Sequence, residues 1–171
     1  QILDIDENMT EEQVLAQALS PERMPVDDLR RACAALAAGT KTDIERADLL
    51  QDFLDSPENW GMLFLSTYKK AFLTDENTVR SRLATKSVVV AMPDILDILT
   101  AEAERILTIM DCMKTVSLAT YTKSLLKVST EILQHYAQKK QSVAALDYDD
   151  LIYHTRHLLQ SEADAAWVLF K

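Results

Sequence analysis

A chain of 171 residues, 48% hydrophobic and 26% charged, is long enough for one folded domain and too apolar to remain disordered. Its net charge of -9 argues by itself against a nucleic-acid binder, because an acidic surface repels phosphate. Two Gly and four Pro leave few places for hairpin turns, which predicts an all-α fold with no substantial sheet.

Thr10 is placed to cap a first helix running to Leu19, where Ser20-Pro21 stops it. Pro25 opens a second through about Ala37, and Gly39 stands where a left-handed C-terminal turn is expected. Thr42 or Asp43 begins a third, ending near Leu54. Ser56-Pro57-Glu58 is a further start signal, with Ser56 as cap and Pro57 in the first helical position. Trp60, Leu63, Phe64, Tyr68 and Phe72 follow it as the buried run of one helix. Residues 74–85 are polar and basic and read as a loop with a helical turn.

Val88-Val89-Val90 has the β-branching of a strand, yet no partner strand is evident, so it is read as helical. Pro93 opens a long helical region in which Leu99, Ala103, Ile106, Met110 and Met113 repeat in alternating steps of four and three. Tyr121, Leu125, Val128 and Ile132 resume that stripe after a slip between Thr115 and Thr120. Two long antiparallel helices and one bent helix both fit the slip, and the stripe is expected to line an internal core.

Asp147 stands as N-cap of the last helix, with Asp149 and Asp150 in a first turn where the dipole favours negative charge. Leu146 and Leu151 have the spacing of a hydrophobic staple, and Leu151, Ile152, Thr155, Leu158 and Leu159 continue at helical period. Three neighbouring carboxylates also suit a hard cation, but capping accounts for all of them, so no metal is assigned. His154 and His157 share a face with Asp150 without a further ligand set and read as an ordinary helix face; His135 stands alone. Cys33 and Cys112 lack CxxC spacing and are expected as small core residues. No phosphate-binding glycine loop, Ser-His-Asp set or Cys-His set is present, so no catalytic residue is assigned. No apolar run reaches membrane-spanning length and no signal peptide opens the chain, which predicts a cytoplasmic protein without a membrane partner.

Charge is unevenly distributed. Residues 1–60 hold 5 basic and 14 acidic side chains, residues 61–146 hold 11 and 8, and residues 147–171 hold 2 and 5. The middle is therefore basic, with Lys69, Lys70, Arg80, Arg82 and Lys86 set against only Asp75 and Glu76. A second group, Lys114, Lys123, Lys127, Lys139 and Lys140, is set against only Glu131. Such clusters suit a DNA backbone gripped without regard to sequence.

The segment Leu-Asp-Tyr-Asp-Asp-Leu-Ile ending at Ile152, with Ala-Ala-Trp-Val-Leu-Phe-Lys at 165–171, resembles the stretch upstream of Walker B in UvrD/RecB-type DNA helicases. In particular it resembles the AddA subunits of bacterial double-strand-break-repair helicase-nucleases. Ala38-Gly39-Thr40-Lys41-Thr42-Asp43 with Arg46-Ala47-Asp48-Leu49-Leu50 is similar to that family's GSKTD…RA.LL pattern. Phe72-Leu73-Thr74, Arg80, Arg82 and Leu83-Ala84-Thr85-Lys86 are similar to its FLT…R..LATK block, and the blocks keep the family's order.

The resemblance implies that residues 1–145 are a helical insertion subdomain of the 1B kind and that residues 146–171 begin the return into the first motor domain. The Asp-rich Walker B strand that holds the magnesium of ATP is missing. The piece itself would be inactive and without a cofactor, while the parent would use ATP and Mg2+ as a DNA helicase with exonuclease activity. Its partners would be DNA, the rest of the helicase chain and an AddB-type subunit. The resemblance also makes the basic loop the candidate DNA contact: Lys69, Lys70 and, above all, Arg80, Arg82 and Lys86. A start at Gln1 without Met, and an end inside an apolar run, fit an excised piece. The alternative is a stand-alone interaction module whose acidic N-terminal third docks a basic partner and whose stripe packs a partner helix.

Overall fold

A computed structural model describes residues 9–160. Gln1 and the closing segment, residues 165–171, on which part of the resemblance rests, lie outside the described residues. Within them the fold is all-α: α1 (Glu11–Ala18), α2 (Val26–Ala37), α3 (Lys41–Leu54), α4 (Trp60–Ser66), α5 (Lys86–Ala91), α6 (Ile95–Ser142) and α7 (Tyr148–Gln160). Tight 3-10 turns occupy Pro57–Asn59 and Tyr68–Ala71. Two compact units divide between Tyr121 and Thr122, inside α6. The boundary expected at residue 145 falls in the α6–α7 connection, within the second unit.

Local signals set most of the helix starts. Thr10 and Gln13 form a capping box: the Gln13 amide donates to Thr10 Oγ1 at 3.2 Å, and the Thr10 amide donates to Gln13 Oε1 at 2.9 Å. The third helix begins earlier than expected, with Thr40 as N-cap and Asp43 three residues inside it. Gly39 is not left-handed, since no described glycine has a positive φ. Its lack of a side chain answers crowding instead: a Cβ there would stand 2.6 Å from Val88 Cγ2 and 2.7 Å from Asp43 Oδ2. Residues 88–90 lie in α5 and are helical, as read from the sequence.

The single helix expected after Ser56 is broken into a 3-10 turn, α4 and a second 3-10 turn. Ser56 makes no side-chain capping bond. At the far end, Ser66 Oγ donates to the Met62 carbonyl (2.9 Å) and Thr67 Oγ1 to that of Leu63 (3.2 Å), so hydroxyls hold carbonyls at the end of α4. Trp60 and Tyr68 meet Phe53 of α3, and Phe64 and Phe72 meet Tyr68. The Phe53 and Tyr68 rings stack at 3.8 Å, Phe53 and Trp60 lie 5.4 Å apart, and Trp60 Nε1 donates to the Phe53 carbonyl at 2.7 Å. These rings join Leu29 and Leu36 of α2, Leu50 of α3 and Leu99 and Ile106 of α6 in one core. Each such burial contributes ~1.5–3 kcal/mol before entropy is counted. Cys33 belongs to this core and its thiol, raised by burial, reaches the Ala47 carbonyl; Cys112 is half-buried against it.

A carboxylate lies inside this core. Glu102 is 2% exposed and is held by Arg105 Nε (2.7 Å), Arg105 Nη2 (2.6 Å) and the Tyr68 hydroxyl (2.6 Å). Arg105 also donates to the Ala18 carbonyl at 3.1 Å and meets Met24 Sδ at 3.0 Å. One ion pair thereby joins α6, the Tyr68–Ala71 turn and the end of α1. Burial and the neighbouring Glu102 charge push the Tyr68 hydroxyl well above the usual phenol range.

The long helix corrects two expectations. No break occurs between Thr115 and Thr120; Thr115 Oγ1 and Thr120 Oγ1 turn back to the Asp111 and Val116 carbonyls (2.8 and 2.9 Å), and α6 continues. The stripe also does not form one core. Leu99, Ala103 and Ile106 are buried and Met110 and Met113 half-buried, but Tyr121, Leu125, Val128 and Ile132 are 70%, 66%, 56% and 62% exposed. The reason is length. Within the first unit α6 runs from Ile95 to Tyr121, and no other helix of that unit exceeds 14 residues. Val116 is the last buried residue of α6.

Glu102→Ala leaves the half-buried Arg105 charge without its partner and should destabilise the chain by about 3 kcal/mol in urea unfolding, whereas Tyr68→Phe, which removes one hydrogen bond, should cost about 1–2 kcal/mol. Gly39→Ala should also destabilise, by ~1–3 kcal/mol, through crowding against Val88 and Asp43 rather than through φ.

Candidate nucleic-acid interface

Residues 69–86 form a turn that its neighbours fix from beneath. The Thr74 amide donates to the Thr78 carbonyl at 2.8 Å, the Arg80 amide to that of Phe72 at 2.9 Å, and Leu73 bridges Val79 antiparallel. Asn77 supplies the left-handed residue, with φ 57°, a conformation that asparagine tolerates. The expected helical turn in residues 74–85 is thus a hairpin-like reversal, because the backbone pairs across the loop.

Two side chains of α3 hold this loop. Arg46 donates from Nε to the Ala71 carbonyl (2.8 Å), from Nη2 to that of Arg82 (3.2 Å) and from Nη1 to that of Leu83. Asp43, 1% exposed, accepts from the Thr85 amide (3.1 Å), the Thr85 hydroxyl (2.6 Å), the Thr40 amide (3.0 Å) and the Thr40 hydroxyl (2.8 Å). One carboxylate therefore serves the starts of both α3 and α5, whose N-caps are Thr40 and Thr85. Burial opposes its charge, but the four hydrogen bonds outweigh burial and hold its pKa below the usual carboxylate value. The Arg46 pKa is lowered by burial, partly offset by Asp43.

The predicted cations divide on this frame. Lys70, Arg82 and Lys86 are exposed and Lys69 half-buried, and none of them has an ion pair among the described residues. Arg80 is half-buried, with Nε donating to the Lys70 carbonyl at 3.0 Å, so part of its guanidinium already serves the loop. Asp75 and Glu76 are exposed on the reversal between them. In the second basic group, Lys114 pairs with Asp111 at 3.0 Å and Lys140 with both Asp147 (3.1 Å) and Asp150 (2.5 Å). These two lysines are therefore not set against Glu131 alone, because partners one turn away and across the α6–α7 connection reach them.

Asp147 and Asp150 make a reciprocal cap on α7: the Asp150 amide donates to Asp147 Oδ1 at 2.9 Å and the Asp147 amide to Asp150 Oδ2 at 3.0 Å. The Tyr136 hydroxyl adds a bond to Asp147 at 2.9 Å. The Asp150 amide, Lys140 and Tyr136 together hold Asp147 far below the usual carboxylate range. Asp149 is exposed and takes no part in this clamp. Leu146 and Leu151 remain 62% and 48% exposed, so the polar clamp rather than a buried staple fixes the entry to α7. His135, His154 and His157 are exposed.

Comparison with protein-family models, with curated proteins and with solved structures gave no match.

Sequence reasoning assigned no tertiary role to Asp43, Arg46, Glu102 or Arg105. Glu102 carried a readable sign, since it falls in step with Leu99, Ile106 and Ile109 on the buried side of α6. Asp43 and Arg46 stand in a block that carries the resemblance, and Asp43 lies three residues from Thr40, but no local pattern shows their other partners, which lie 25 to 42 residues away.

The Asp43 pKa is depressed in the folded chain, so its contribution is fully present above the unfolded value near ~4 and is lost as pH falls through the lower folded value. Asp43→Ala should cost about 2–4 kcal/mol at neutral pH and expose the Thr85 amide to hydrogen exchange. The cost should shrink on acidification, which urea melts across that range would read directly.

Proposed function

We propose that this chain is a non-catalytic, DNA-facing insertion of the 1B kind from an AddA-type helicase-nuclease acting on broken duplex ends in the cytoplasm. One observation carries the reading: exposed cations without carboxylate partners sit on a backbone that Asp43 and Arg46 have already fixed. Ordering a phosphate-gripping loop in advance removes an entropy cost from binding. Two of the three sequence blocks that carry the resemblance also meet here. Asp43 and Arg46 belong to the first, and they hold Arg82, Leu83 and Thr85 of the second.

ATP and Mg2+ would act in the parent motor and not in this piece, and an AddB-type subunit would be the parent's partner. Many apolar side chains of the second unit are exposed, including Leu125, Ile132, Leu133, Ile152 and Tyr153, which fits burial by a larger body. The same exposure favours the second reading, a stand-alone module whose α6 stripe packs a partner helix.

Fluorescence anisotropy with a labelled duplex across a salt series separates the two. The helicase reading expects weak, sequence-independent binding, with log K falling linearly in log salt. The slope should become shallower by ~0.9 for each phosphate that Arg82→Ala or Lys86→Ala leaves without its cation. Arg80→Ala should weaken binding further by loosening the loop at Lys70. Absence of binding at low salt, alongside tight association with a protein partner, would refute it in favour of the interaction module.

A further inference from the structure

The turn between α6 and α7 is built from residues that favour helix. Neither Gly nor Pro occurs after Pro93, and the connection reads Val143-Ala144-Ala145-Leu146, with alanine, the best helix former, at its centre. α6 nevertheless stops at Ser142. The Ala145 amide donates to the Lys140 carbonyl at 3.0 Å and the Ala144 amide to that of Gln141 at 3.1 Å, the pattern of a helix end closed by a left-handed residue. Glycine ordinarily fills that position. Here Ala144 does so at φ 49°, and its Cβ works against the conformation.

Some interaction must outweigh both this strain and the unused helical propensity, and burial does not supply it. No described residue of the second unit is buried, and Val143, Leu146 and Leu151 beside the turn are exposed. What spans the turn is Lys140. Its ammonium reaches Asp147 at 3.1 Å and Asp150 at 2.5 Å, and the Tyr136 hydroxyl reaches Asp147 at 2.9 Å. In an uninterrupted helix Asp150, ten residues on, would stand about 15 Å along the axis from Lys140, beyond the reach of the pair. Asp147 and Asp149 would also lose the helix start that favours carboxylates. The bent form is thus held by charge, and the straight form is favoured by the backbone.

We infer that the α6–α7 turn is a two-state latch: bent while Lys140 bridges Asp147 and Asp150, and one continuous helix from α6 into α7 when that bridge is absent. The latch lies within the second unit and stands independently of any DNA contact.

The test is NMR of the 171-residue chain. In the bent form the Tyr148 and Asp149 amides occupy the first turn of α7, where no intrahelical carbonyl faces them, and they exchange freely. In the continuous form they donate to the Ala144 and Ala145 carbonyls. Lys140→Met should raise their protection from exchange at least ~10-fold and extend helical NOEs, from each Hα to the amide three residues on, across residues 141–149. The parent should show neither. Adding Ala144→Gly to Lys140→Met relieves the left-handed residue and penalises the helix, so it should abolish both effects. Simple fraying has the opposite sign, with protection falling throughout α7. Unchanged exchange in Lys140→Met, loss of the α7 NOEs in that variant, or an undiminished gain in the double variant would each overturn the assignment.

Discussion

The charge of Glu102, carried at 2% exposure, is the constraint around which the first unit is organised. A buried carboxylate without donors is costly, and Arg105 and Tyr68 deliver three donors to its two oxygens. Those donors come from different parts of the chain, and their geometry fixes where the parts lie. Tyr68 must reach Glu102 and still stack on Phe53, which sets the 3-10 turn between α4 and the basic loop. Arg105 must reach Glu102 and still hold the Ala18 carbonyl, which sets the end of α1. An apolar core of equal volume would tolerate sliding; a bidentate ion pair does not.

Asp43 repeats the logic at the starts of α3 and α5. Its four donors come from two helix starts 45 residues apart in sequence, Thr40 and Thr85, so capping and tertiary structure become one interaction. With Arg46 holding three carbonyls of residues 71–83, the loop is fixed by charged groups facing its backbone while Lys70, Arg82 and Lys86 face solvent. Net charge obscures this arrangement. An acidic total of -9 coexists with a local concentration of positive charge because most carboxylates lie in residues 1–60.

The second unit is organised differently. Among its described residues none is buried, and the entry to α7 is held by Lys140, Tyr136 and the reciprocal Asp147–Asp150 cap. A 13-residue helix has little stability of its own in water, and most of its stability ordinarily comes from packing its apolar face. The second half of α6 and α7 leave Leu, Ile and Tyr side chains exposed among the described residues.

Sequence alone determined the helical class, the caps at Thr10 and Asp147, the helical state of Val88-Val89-Val90, and the concentration of cations between Lys69 and Lys86. These follow from interactions among residues a few positions apart, where period, cap and charge count are legible. It misjudged Gly39, the continuity of the helix after Ser56, and the extent of the core along α6, because each depends on what lies opposite. A stripe at helical period records that a face is apolar and not whether a partner is long enough to cover it. Only the tertiary structure decided that Val116 ends the buried part of α6, that Glu102 and Asp43 are interior carboxylates, and that Arg46 grips a loop 25 to 37 residues further on. The physical reason is that burial and hydrogen-bond satisfaction belong to groups brought together by the whole fold, and no local pattern encodes which distant donor will arrive.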